Sequence, residues 1–230
     1  MSITEDVVKL AKLLDSRDML VFDFDGVLVD SVEIKTEVFA SLYEPFGAEV
    51  VAKVVSHHRE HGGMSRFEKF RHYHREFLGQ SIGESKVIEL AEAFAVRVKQ
   101  AVVSAPEIPG ALMVLKYFCG RGKICAVNSA TPEEELIDIV RQRSLSDYFV
   151  RVCGAPTSKA ANLGKILCDF SMPAEKAVFF GDARADLDAA LSNGVEFIGV
   201  GNKIRGELAG LDKTYSSIID FQQFEPVVLE

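Results

Sequence analysis

The sequence predicts an α/β protein, a doubly wound parallel sheet interrupted after its first strand by an all-helical insertion. Three observations predict it. Met19, Leu20, Val21 and Phe22 form a short apolar run that ends in Asp23, Asp25 and Gly26, as expected of a buried parallel strand with its chemistry at the C-terminal end. From Ala111 onward, apolar runs alternate with stretches of helical periodicity. Between 32 and 108 the apolar residues recur at helical spacing, and no strand pattern stands out.

Ser2 and Glu5 fit a capping box, and Val7, Val8, Leu10, Ala11 and Leu14 give an amphipathic helix ahead of the first strand. Val50, Val51, Val54 and Val55, then Phe67, Phe70, Phe77 and Leu78, mark helices in the insertion. Pro106 and the Pro109-Gly110 pair punctuate the return to the alternating pattern. The expected division is therefore a core of 1–31 and 109–230 with an insertion of 32–108. A helix is expected over 111–119, a strand over 123–128, and a helix opened by Thr131 as cap, Pro132 in the first turn, and Glu133 and Glu134 facing the helix dipole. Further strands fall at 149–153, 177–181 and 196–200, with helices near 160–169 and 187–193, the latter ended by Gly194. Residues 217–221 read as an edge strand.

Composition narrows the function. With 48% hydrophobic and 26% charged residues among 230, the chain has the makings of a folded core rather than of a disordered segment. Twenty-six basic against 34 acidic side chains give a net charge of -8, which argues against nucleic acid as a partner. Cys119, Cys125, Cys153 and Cys168 show no zinc-ligand spacing and read as small apolar residues of a reducing compartment. No apolar block resembles a signal peptide or a membrane span, so a cytoplasmic enzyme with no membrane partner is expected. Oligomeric state is not legible.

Asp23 and Asp25 flank Phe24, which points to the opposite side of the chain. By itself an Asp-x-Asp before glycine makes an ordinary turn. Three more polar elements follow strands: Asn128, Ser129, Ala130 and Thr131 after the second, Lys159 after the third, and Gly181, Asp182 and Asp186 after the fourth. In an open parallel sheet all four open on one crevice.

In order and spacing these residues resemble the four motifs of haloacid dehalogenase-like hydrolases, with Val27 where the commonest version has threonine. The resemblance implies a Rossmann-like core. The insertion is similar to the helical cap of the phosphoglycolate phosphatase and beta-phosphoglucomutase branch. The implied activity is a Mg2+-dependent phosphatase acting on a small phosphorylated metabolite. Physical chemistry supports the same roles: Asp23 as nucleophile and Asp25 as general acid/base. Mg2+ would be held by Asp23, the Asp25 carbonyl and Asp182, with Asp186 behind it. Lys159 supplies positive charge, while Ser129 with the backbone of Asn128 and Ala130 holds phosphoryl oxygens. Lys165 competes with Lys159 as the active-site lysine but reads as a solvated helix residue, and Asp188 reads as a cap or a solvent-facing acid.

In the insertion, Gly63 and Arg66 resemble a cap loop that reaches the substrate, Arg66 gripping a carboxylate or second phosphate. The alternative is a plain helix joint with Ser65 and Glu68 as capping box and Arg66 in solvent. The five histidines all lie in the insertion, and the rings of His72 and His74 point to different sides of a helix. Two rival functions remain: a phosphomutase using the same aspartates, and a receiver-like phosphoacceptor domain, against which the insertion and the late GDxxxD motif argue.

Overall fold

The computed structural model describes residues 5–211 and 215–225. Helix α1 (Glu5–Asp15) precedes strand β1 (Met19–Phe22), and four helices follow: α2 (Val32–Tyr43), α3 (Ala48–Glu60), α4 (Arg66–His72) and α5 (Glu84–Ser104). A wide π-helical turn, Tyr73–Phe77, extends α4. The alternating half then runs α6 (Ala111–Gly120), β2 (Ile124–Pro132), α7 (Glu133–Gln142), β3 (Arg151–Ala155), α8 (Lys159–Asp169) and β4 (Ala177–Gly181). It continues through α9 (Arg184–Asn193), β5 (Glu196–Val200), α10 (Asn202–Ala209) and β6 (Ser216–Ile218). Ser2, the expected cap of α1, lies outside the described residues.

All strand pairs are parallel, in the order β3-β2-β1-β4-β5-β6. The chain moves outward from β1 to β3 and then returns to the other side of β1, so the strand order reverses beside β1. At such a reversal the loops diverge and leave a crevice at the C-terminal ends of the strands. Asp23, the residue after β1, stands at its centre.

Side-chain alternation assigns the two faces. Leu20, Phe22, Val127, Val178 and Phe180 belong to one buried cluster, while Met19, Val21, Ala126, Phe179 and Phe197 belong to another. Phe22 and Phe180 stack with ring centroids 5.0 Å apart, and Phe221 tilts against Phe180 at 5.4 Å. The first cluster also takes in Phe39, Phe70 and Phe94 from the inserted helices, so apolar packing runs continuously from core to insertion.

Several boundaries differ from expectation, among them that of α9, which starts three residues early at Arg184. Strand β2 runs on to Pro132 with a register shift after Asn128, so α7 starts at Glu133 and Thr131 does not cap it. The cause is tertiary: the Thr131 hydroxyl is engaged with Asp25 and Lys35, and residues 131–133 press on Gly154, where a Cβ would lie 2.3 Å from the Thr131 carbonyl oxygen. Strand β3 starts two residues late, after a 3-10 turn at Ser146–Tyr148. The edge strand stops at Ile218 because Asp220 accepts from the Gln222 amide and opens a 3-10 turn, which carries Phe221 into the core.

Entry to and exit from the insertion lie side by side. The Asp30 amide donates to Pro106 (2.9 Å), and the Ile108 amide donates to Leu28 (3.0 Å). Gly63, between α3 and α4, rests on the turn that opens α9: a Cβ there would approach that of Ala185 to 2.4 Å.

Phe180 is wholly buried between two other rings, so Phe180→Ala is expected to cost about 3–5 kcal/mol in urea denaturation. A loss below about 1 kcal/mol would contradict the central position of β4.

Candidate active site

The end of β1 is shaped for close approach. Gly26 has φ +76°, and a Cβ there would meet Asp182 Oδ2 at 2.4 Å, so the turn after Asp25 tolerates only glycine. The Asp23 amide donates to Phe180 (2.9 Å), and Asp23 Oδ1 accepts from the Phe24 amide (2.6 Å). Asp23 Oδ2 accepts from Lys159 Nζ (2.6 Å), which also donates to Asp186 Oδ1 (2.5 Å). The other Asp186 oxygen accepts from the Ala183 amide at the start of α9 (3.1 Å).

Asp23, Asp182 and Asp186 each bring a carboxylate oxygen within 4.8 Å of the others, the arrangement of a cation site. Their electrostatics point the same way. Burial pushes the Asp23 carboxyl up; Lys159 pulls it down, but Asp186 and Asp25 push it up again, to about 7. Asp182 is raised well above the ordinary carboxylate range by burial and then by the charges of Asp23 and Asp186. Burial disfavours the Lys159 ammonium, yet Asp186 and Asp23 outweigh it and hold its pKa above the ordinary value. One lysine thus faces more acid than it can neutralise, a deficit that a hard, oxygen-ligated divalent cation would fill.

Asp25 turns the other way. Its carboxylate accepts from Ser31 (2.5 Å), Lys35 (2.5 Å) and Thr131 (3.1 Å). Burial would raise its pKa, but the Lys35 charge and these three bonds hold it below the usual range. The carboxyls of Asp23 and Asp25, two residues apart, are therefore shifted in opposite directions.

A cavity of about 50 Å³ lies over these acids. Core carboxylates Asp23, Asp25 and Asp182 line it together with Lys35, Arg66 and Lys69 from the inserted helices. Ser129 and Ala130 reach it as well. Ser129 is buried inside the bulged end of β2 rather than at a helix start, and its hydroxyl accepts from the Thr131 amide (3.2 Å). Asn128 stands one step back, its side-chain amide donating to the Lys159 carbonyl (2.9 Å). Lys165 is exposed, and Asp188 pairs with Arg184 at the surface.

Ser65 and Glu68 do form the capping box of α4. Arg66 is nevertheless not in solvent. It is buried, lines the cavity, and makes a two-pronged ion pair with Glu135 of α7 (2.7 and 2.8 Å), its guanidinium 4.7 Å from the Phe94 ring centre. His72 stacks on His57, whereas His74 lies against Tyr43.

A buried lysine among carboxylates at the C-terminal edge of a parallel sheet, roofed by inserted helices, defines an α/β enzyme whose chemistry is run by acids. The chain belongs to the haloacid dehalogenase-like hydrolases, whose family pattern matches residues 20–200. It is 26% identical over 190 residues to a phosphoglycolate phosphatase of Pseudomonas fluorescens, covering 78% of this chain and 68% of that one. It is 27% identical over 191 residues to a phosphorylated carbohydrates phosphatase of Thermotoga maritima, covering 79% and 83%. In fold it is similar to a beta-phosphoglucomutase of Clostridium difficile, with a TM-score of 0.72 at 16% identity over 93% of this chain and 100% of that one. It is accordingly an enzyme of the phosphatase type.

Sequence reasoning gave no site role to Lys35, His58, Lys69 or Glu135, and it set Thr131 at the crevice but with a capping role. One signal was present: Arg66, Lys69 and Phe70 share the buried face of α4, which sets two cations on an apolar stripe.

The Arg66–Glu135 pair joins the inserted helices to the core with side chains only 5% and 11% exposed. In a double-mutant cycle with Arg66→Ala and Glu135→Ala, a coupling of about 1–3 kcal/mol in thermal or urea unfolding is expected. Additive single effects would show that the contact contributes nothing of its own.

Proposed function

We propose that this enzyme is a Mg2+-dependent phosphatase that hydrolyses a small phosphorylated metabolite through an aspartyl-phosphate on Asp23. The observation that supports this most is the division of labour at the end of β1. Asp23 has one oxygen fixed by a backbone amide and the other by Lys159, at the wall of a cavity, while Asp25 beside it is held by Lys35, Ser31 and Thr131.

Asp23 attacks phosphorus and displaces the alkoxide, splitting one displacement into two. Asp25 supplies the leaving group with a proton and takes one from the water that opens the intermediate. Because Asp25 rests as a carboxylate held by Lys35, Nζ 2.5 Å from Oδ2, it takes up a proton from solvent or from the entering phosphoryl group before the first step. Lys159 keeps Asp23 oriented, and Ser129 with the Ala130 backbone receives phosphoryl oxygens. Asp23, the Asp25 carbonyl and Asp182 would hold Mg2+, with Asp186 behind them. When bound, the ion offsets the charge of these acids and of the phosphoryl group. Residues 32–108 act as a cap that closes the crevice to water, Gly63 forming its contact with the core. We place the enzyme in the cytoplasm, with small phosphate esters as its partners.

Asp23→Asn is expected to stay folded and to lose about 10^3-fold or more in turnover, measured as inorganic phosphate released from a panel of sugar and acid phosphates. More than about a hundredth of wild-type activity remaining would exclude Asp23 as nucleophile. Release of an isomeric ester instead of phosphate would identify a mutase.

The raised carboxyls set a pH dependence. Asp23 has a folded pKa of about 7 against an ordinary 3.8, so without a cation the folded state takes up a proton below 7, and the stability this gives is lost as pH rises through 7. Mg2+ replaces that proton. The gain in melting temperature on adding Mg2+ over EDTA should therefore be larger at pH 8 than at pH 5, and smaller at both in Asp182→Asn. An equal gain at the two pH values would remove Asp23 from the ligand set.

A further inference from the structure

The inserted helices meet the core unequally at their two edges. Along α7 the contact is charged at three points. Glu135 takes the buried guanidinium of Arg66, and Asp138 pairs with Lys99 of α5. Arg143, just past the end of α7, donates to the carbonyls of Val102 (3.0 Å), Val103 (2.7 Å) and Ala105 (2.7 Å) where α5 ends. Leu136, Ile139 and Val140 of α7 also share a buried cluster with Phe94 and Val98 of α5. This edge parts only by unpairing a buried ion pair and exposing apolar surface.

The edge toward α9 and α10 is different. A Cβ on Gly62 would lie 3.5 Å from that of Ala183, and Gly63 sits over Ala185, so small residues rest on small residues. Among the described residues, one hydrogen bond joins the insertion to either helix: Lys203 Nζ, from the first turn of α10, donates to the Arg59 carbonyl near the end of α3. That carbonyl lies at the negative end of the helix dipole, and among the described residues no backbone amide reaches it. The core thus caps an inserted helix. Lys203 is half-exposed, its other partner is Glu207 at 3.8 Å, and its charge acts on Asp182, His58 and Lys69. A contact so open to water is given up at small cost.

We propose that the insertion stays docked along α7 and parts from the core along α9 and α10, and that Lys203 is the latch that returns Gly62 and Gly63 to their seat beside Asp182. Lys203 touches no reacting atom and is a positioning residue. The inference rests on the reading of residues 32–108 as a cap, and it adds which edge moves and what holds that edge shut.

The test is hydrogen–deuterium exchange of the whole chain, read by mass spectrometry without substrate. Lys203→Met keeps the length of the side chain and removes its charge. Exchange over 59–64 should then quicken by about three- to tenfold, the range of a charge at a helix end. Residues 96–103 and 134–143 should keep their wild-type rates, and Lys203→Arg should restore the slower exchange at 59–64. With Mg2+ and a hydrolysed ester, KM should rise in Lys203→Met with kcat little changed, because a smaller fraction of the enzyme is in the closed form. The Mg2+ concentration for half activity should not move.

Unchanged exchange over 59–64 in Lys203→Met would overturn the proposal. Exchange quickened equally along α5 and α7 would make the residue a general brace and overturn it too, as would Lys203→Arg behaving like Lys203→Met. A Mg2+ requirement that moves while exchange does not would assign Lys203 to the field at Asp182 and remove the latch. If Lys203→Met does not fold, Lys203→Gln is read in the same way. If no ester is hydrolysed at all, the phosphatase reading fails, and the exchange pattern alone decides the latch.

Discussion

The ammonium of Lys159, wedged between Asp23 and Asp186, is the contact on which the crevice depends. It joins the ends of three elements distant in sequence: β1 supplies Asp23, the first residue of α8 supplies the lysine, and the first turn of α9 supplies Asp186. Each partner is tied further. Asn128 holds the Lys159 carbonyl from β2, and Asp186 accepts from the Ala183 amide. Three charges out of water are tolerable only when each is paired and hydrogen-bonded, so the loops after β2, β3 and β4 have little freedom to differ. Among the described residues no cation is bonded to Asp182, whose carboxyl is raised by burial and by Asp23 and Asp186.

The inserted helices complement this acidic edge. They bring Lys35, Arg66 and Lys69 to the wall of the cavity, and their aromatic rings continue the core's own cluster. Close contact at Gly63 and the buried Arg66–Glu135 pair fix how that wall meets the core. The mixed charge of this lining, and not the net charge of the chain, sets the local field there.

The sheet was largely legible because β1 and β4 are wholly apolar runs whose burial needs no knowledge of their neighbours. The end of β2 was not. Thr131 has the composition of a helix cap, and only the folded chain shows Asp25 and Lys35 using its hydroxyl instead. The acids of the site were legible for a similar reason: Asp23, Asp25, Asp182 and Asp186 follow strands in linear motifs, and in a parallel sheet position after a strand fixes position in space. Lys35 and Lys69 sit within helices, where the role of a charged residue depends on which face the tertiary packing turns inward. For Arg66 neither expected environment describes the observed one, because its partner, Glu135, lies 69 positions away on a core helix.

The paired segments at 28–30 and 106–108 carry a consequence for the chain's architecture. Hydrogen bonds hold entry and exit together, so the two ends of the inserted stretch are neighbours through contacts that its own helices do not make. The entropy of closing that long excursion is then shared with a contact that belongs to the core, and it grows only slowly with the number of residues enclosed. The sheet and its acids thus form a chassis with a single socket between Ser31 and Ala105. Helices of another length could be seated there while β1 keeps its register, provided that Lys35 still reaches Asp25.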